Sequence, residues 1–123
     1  MKPGSEILII DDDPRNIFAL SAVLRAKGYQ CRSVTGMKEA FGLMRTEKNI
    51  GIILLDMMMP GIDGYQAIPM IKATEGYEHV PVVAVTAQAM AGDRERCLAA
   101  GANDYISKPV NIDELQAVLQ SYQ

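Results

Sequence analysis

Residues 52–64 read IILLDMMMPGIDG. Four apolar residues, Ile52 to Leu55, run without interruption into Asp56. A strand with one wet face alternates apolar and polar residues, because successive side chains point to opposite faces. A strand that is apolar at every position is covered on both faces, as in a parallel sheet with helices on each side. Residues 7–10, ILII, repeat the pattern and run into Asp11, Asp12 and Asp13. Two buried strands therefore each deliver carboxylates at their carboxyl end.

Working outward, five strand-like runs alternate with helical segments: Ile7–Ile10, Gln30–Val34, Gly51–Leu55, Pro81–Thr86 and Asn103–Ile106. The first helix is expected from Pro14 to Lys27, with Asp13 as its cap, Pro14 in the first position and Gly28 as the stop. Its apolar stripe is Ile17, Leu20, Ala22, Val23 and Leu24. The second fits Met37–Thr46, with Ala40, Phe41 and Met44 facing in. Asp63-Gly64 opens a third through Ala73, in which Pro69 removes a backbone donor and is expected to bend the helix or end it early. The fourth spans Met90–Ala100 before Gly101, and the fifth starts at Asn111 with Glu114 in a capping-box position. The expected fold is a five-stranded α/β sheet, (βα)₅, doubly wound because such crossovers are right-handed.

The chain has 123 residues, which suits one core. Residues 1–123 are expected to form one unit with its core over about 6–119 and no further domain attached. A net charge of −3 with scattered basic residues argues against direct nucleic-acid binding, which needs clustered Lys and Arg. No apolar run is long enough to suggest a membrane span, and the N-terminus lacks the parts of a signal peptide. Cys31 and Cys97 have no metal-ligand spacing and read as packing residues in a reducing cytoplasm.

In open α/β sheets, ligands bind at the carboxyl ends of the strands. That edge collects Asp11, Asp12 and Asp13 after strand one, Asp56 after strand three, Thr86 at the end of strand four and Lys108 after strand five. Clustered carboxylates repel one another unless a proton or cation intervenes. A hard divalent cation with oxygen ligands suits them, and Mg²⁺ is commonly held by one or two carboxylates with water and phosphate oxygens. An aspartate beside such a cation can attack phosphorus to give an acyl phosphate. Each residue alone also has an ordinary role as a cap, loop or strand-end residue, so the weight lies in the combination.

ILIIDDDP, IILLDMMMPGIDGY, VVAVTA and AGANDYISKP together resemble the response-regulator receiver family, across Glu6 to Leu119. The resemblance implies the flavodoxin-like strand order 2-1-3-4-5, which a receiver protein illustrates as a general example. It implies that Asp56 is the phosphoacceptor of a two-component phosphorelay. Asp11 and Asp12 would be the acidic pair for Mg²⁺ or Mn²⁺, with Asp56 and the Met58 backbone carbonyl completing the protein ligands. Thr86 and Lys108 would follow and pair with the phosphoryl group, Tyr105 would be the aromatic switch, and the Lys108-Pro109 bond would be cis. Gln88 and Met58 stand where the family tunes loss of phosphate. The implied partners are a sensor histidine kinase or histidine phosphotransfer protein and a downstream effector, with monomer and homodimer both open. The segments DPRN and VTAQAMAGDRERC are most similar to hybrid-kinase receivers.

Two other readings compete. A haloacid-dehalogenase-type phosphatase would use Asp11, because Asp11-x-Asp13 satisfies its pattern, but Pro14 and Arg15 and the short chain oppose it. A receiver-shaped binding module would never take phosphate. A flavin or nucleotide site is disfavoured because DDDPRN holds no glycines to cradle a phosphate. His79, in EGYEHVP, reads as a surface-loop residue, and Met57, Met58 and Met59 read equally as loop packing or as a partner surface.

Overall fold

The computed structural model describes residues 4–87 and 91–122. Its strands are β1 (Glu6–Ile10), β2 (Gln30–Val34), β3 (Ile50–Asp56), β4 (Val82–Thr86) and β5 (Asp104–Ser107). Its helices are α1 (Pro14–Ala26), α2 (Met37–Thr46), α3 (Gly64–Lys72), α4 (Asp93–Ala99) and α5 (Ile112–Ser121). Met90, expected to open the fourth helix, lies outside the described residues. The strands form one parallel sheet in the order β2-β1-β3-β4-β5, as expected.

β2 has its expected bounds, and the ends of the other strands differ from the expectation by at most one residue. Asp56 belongs to β3 because it pairs with Val85, and the next amide, Met57 N–H, donates to the Val85 carbonyl at 2.9 Å. Pro81 has a carbonyl that accepts from Ile53 N–H but no N–H to return, so β4 starts at Val82. Asn103 is a clamp ahead of β5. Its N–H donates to the Val82 carbonyl, and its side-chain oxygen accepts from Val82 N–H and Lys72 Nζ.

The helix ends follow local chemistry. Asp13 accepts from Arg15 N–H, Asp63 from Tyr65 N–H and Asn111 from Glu114 N–H. Lys27 caps α1 and Gly28 follows at φ 93, a left-handed conformation that favours glycine. Pro69 does not end α3, which continues to Lys72: its own N–H is missing, but its carbonyl still accepts from Ala73 N–H at 2.9 Å, and the residue is exposed. Ala22, expected in the stripe of α1, is exposed.

The two faces of the sheet carry separate cores. One joins Leu8, Ile10, Ile53 and Leu55 to α2 and α3 through Met44 and Ile68. The other joins Ile7, Ile9, Ile52 and Leu54 to α1 and α5 through Leu24 and Leu119. Leu54 is 2% exposed. Leu54→Ala should therefore destabilise the fold by about 2–5 kcal/mol in chemical denaturation, through lost burial and the cavity left behind. Cys31 and Cys97 are free and buried, and Met57 and Met59 pack inward while Met58 is exposed. His79 is exposed. Among the described residues no helix is long and apolar enough to cross a membrane.

Candidate functional site

Because all the strands are parallel, β1, β3, β4 and β5 present their carboxyl ends at one edge. The structure brings Asp11, Asp12 and Asp56 together there, with ligand oxygens within 4.8 Å of one another. Asp11 and Asp56 are almost excluded from water, whereas Asp12 is exposed. Lys108 Nζ lies 3.5 Å from Asp56 Oδ1 and 3.6 Å from Asp11 Oδ2. It reaches them from the segment after β5, where the Lys108-Pro109 bond is cis and Lys108 N–H donates to the Thr86 carbonyl at 2.7 Å. Thr86, the last residue of β4, is buried beside Ser107, and Tyr105 pairs in register with Ala84.

Local hydrogen bonds hold the carboxylates in place. Asp13 N–H donates to Asp11 Oδ1 at 2.9 Å, and the Asn16 amide donates to Asp11 Oδ2. Met58 N–H donates to Asp56 Oδ1 at 2.9 Å. Asp13 thus serves as the helix cap, and the third carboxylate of the DDD run points away from metal duty toward Arg15. Asn16 was not legible as a site residue. Its signal is its place in the first turn of a helix that begins beside the acidic strand end, which aims a polar side chain back at Asp11.

Burial is the first cause that pushes the Asp56 carboxyl above its ordinary value of 3.8. The negative charge of Asp11 pushes the same way, while the Met58 hydrogen bond and Lys108 pull it down. One ammonium facing two buried carboxylates and a third nearby leaves net negative charge at this edge. Three converging carboxylates fit a hard divalent cation, whose charge removes that imbalance.

The response regulator receiver domain model matches residues 7–120. The chain belongs to that receiver family. It is a receiver domain of two-component systems, a signalling phosphoacceptor module. The receiver is 38% identical over 116 residues to the sensor histidine kinase RcsC of Salmonella typhi, covering 94% of this chain and 12% of that protein. It is 34% identical over 116 residues to the polar-differentiation response regulator DivK of Brucella ovis, covering 94% of each. Among solved structures, it resembles the receiver domain of the sensor histidine kinase PA1611 of Pseudomonas aeruginosa PAO1. That likeness has 41% identity, a TM-score of 0.85 and 97% coverage of both chains. The PA1611 structure holds a magnesium ion in its active site cleft. The receiver thus spans a small part of RcsC and nearly all of DivK. Gln88, a candidate for tuning loss of phosphate, lies outside the described residues.

Proposed function

We propose that Asp56 takes the phosphoryl group and that Lys108 and Thr86 receive its charge. The observation that carries this is the pairing of a buried Asp56 with an amine at 3.5 Å, at the end of a strand that fixes its backbone. Asp11, Asp12, Asp56 and the Met58 backbone carbonyl would hold Mg²⁺, and Mn²⁺ has the same preference for oxygen donors. When bound, the cation offsets charge on the phosphoryl oxygens.

The donor is the phosphohistidine of a sensor histidine kinase or histidine phosphotransfer protein, or a small acyl phosphate. An Asp56 carboxylate oxygen attacks phosphorus in line. The new O–P bond forms as the P–N bond of phosphohistidine breaks, and the imidazole leaves with the electron pair. The Met58 N–H holds one carboxylate oxygen and so fixes the direction of attack. The chain acts on no other substrate in this reading; it promotes only its own phosphorylation and dephosphorylation. Residues 6–119 act as one receiver unit, in the cytoplasm, without direct contact to nucleic acid.

Phosphorylation adds roughly −1.5 to −2 charges at neutral pH. Thr86 moves toward them, Tyr105 turns inward, and the surface of α4, β5 and α5 changes for a downstream effector. A swing from 1:99 to 99:1 needs about 5.5 kcal/mol of differential stabilisation, so Lys108, Thr86 and the cation act together.

Incubation with acetyl phosphate and Mg²⁺, followed by intact mass and site mapping, tests the assignment. The expected product carries one phosphoryl group, on Asp56. Phosphate on Asp11 would favour the phosphatase reading instead, and a chain that never takes phosphate would be a binding module.

A further inference from the structure

Among the described residues, one buried side-chain oxygen has no hydrogen-bond partner: Asp93 Oδ2. Asp93 opens α4 and is 8% exposed. Its other oxygen, Oδ1, is 3.5 Å from the Tyr65 hydroxyl of α3, at the outer limit of a hydrogen bond. Arg96, on the same helix, places its guanidinium 4.0 Å over the Tyr65 ring. Cys97 is fully buried one turn beyond Asp93. Among the described residues, the charged and titratable groups around Asp93 are Tyr65 from α3, Arg96 and Cys97 from α4, and Tyr105 from β5.

Tyr105 is half-buried and packs against the core that contains Cys97. Burial pushes its phenol up first, and the negative charge of Asp93 adds to this, so the two groups are electrostatic neighbours. Buried carboxylate oxygens are ordinarily satisfied. An orphaned one near an aromatic hydroxyl that changes position in the proposed switch has an acceptor site ready for one of the two positions.

We propose that Asp93 Oδ2 accepts the Tyr105 hydroxyl when the ring turns inward, making Asp93 a positioning residue that couples the ring to α4. This rests on the reading of Asp56 as phosphoacceptor and Tyr105 as switch. It adds what that reading lacks, a bond partner that exists for only one state of the ring. Tyr65 approaches the other oxygen of the carboxylate and Arg96 stacks on the Tyr65 ring, so α3 and α4 share in the same contact.

A carboxylate at the start of α4 also favours the helix electrostatically. A double-mutant cycle separates the two roles. The chain, Asp93→Ala, Tyr105→Phe and the double variant are each loaded with beryllofluoride and Mg²⁺, with the ring at position 105 isotopically labelled. Ring chemical shifts and contacts then give the inward population. Asp93→Ala should reduce the inward-to-outward ratio about tenfold when residue 105 is Tyr and leave it unchanged when it is Phe, the scale of one charge-assisted hydrogen bond. Asp93→Asn, which keeps an acceptor oxygen, should restore part of the loss. Equal effects in the Tyr and Phe backgrounds, or none in either, would overturn the proposal. Mapping of acetyl-phosphate adducts on the same proteins separates the premises. With phosphate on Asp56 throughout, the cycle alone decides the role of Asp93. With none on Asp56 of the parent chain, the site reading and this inference fall together.

Discussion

Asp56→Asn should lower phosphorylation by acetyl phosphate at least about 10³-fold, because an amide oxygen is a poor nucleophile and, among the described residues, no neighbouring side chain replaces it. Asp11 is buried too, but both its oxygens are engaged, one by Asp13 N–H and the other by the Asn16 amide. Asp12 is exposed and lies at the mouth of the cluster. The same substitution should make the cation-free protein more stable at neutral pH. Asn is close to Asp in size, can accept from Met58 N–H, and removes one of the charges that repel at this edge. The loss of Asp56's attraction for Lys108 acts the other way, but Lys108 keeps Asp11 at 3.6 Å. Thermal unfolding and mass spectrometry on one preparation check both halves. A variant that still gains phosphate at the parent rate, or that unfolds at lower temperature without cation, would contradict the assignment of Asp56 as a buried, repelled nucleophile.

The strands were legible because burial on both faces leaves a mark in one dimension: ILII and IILL are apolar without alternation. The acidic edge was legible for a related reason. Parallel strands send all their carboxyl ends the same way, so residues after separate runs meet without any knowledge of their packing. Asn16 and Asp93 were not legible, because their roles depend on helix rotation. Whether Asn16 faces Asp11 is set by how α1 sits on the sheet. Whether Asp93 is buried is set by how α3, α4 and Tyr105 close around it. Pro69 shows the converse. Its lost donor suggested a broken helix, but its exposed position in a nine-residue helix lets the later turn form normally. Asp13 illustrates a distinction that sequence does make. A carboxylate directly before Pro14 is placed to cap, and it accepts from Arg15 N–H rather than joining Asp11, Asp12 and Asp56.

Magnesium ions should stabilise the fold at neutral pH, and acid should erase the effect. The Asp56 carboxyl is raised above 3.8 in the folded chain, mainly by burial. The folded state therefore binds more protons than the unfolded state between the ordinary and the raised value, and stability falls as pH climbs through that window. At neutral pH the cation-free protein carries the whole penalty. A cation that binds only the folded state contributes about 2.7 kcal/mol at a hundredfold excess over its Kd. Protons compete for the same oxygens, so the rise in Tm on adding Mg²⁺ should shrink steadily as pH falls through the window above 3.8. Lys108 supplies the sharper form of the test. Its ammonium faces both buried carboxylates, so Lys108→Ala should lower cation-free stability by about 1–3 kcal/mol and enlarge the Mg²⁺-dependent gain, since more uncompensated charge then awaits the cation. On the proposed switch, the same variant should lose the ring movement at Tyr105 on beryllofluoride loading, because the amine proposed to receive the new charge is gone. Asp12→Ala should shift the same Mg²⁺ titration to higher concentration with little effect on the cation-free protein, as befits an exposed carboxylate at the mouth of the cluster. Equal Mg²⁺ gains in the parent chain, Lys108→Ala and Asp12→Ala would place the cation elsewhere and sink the acidic edge as its site.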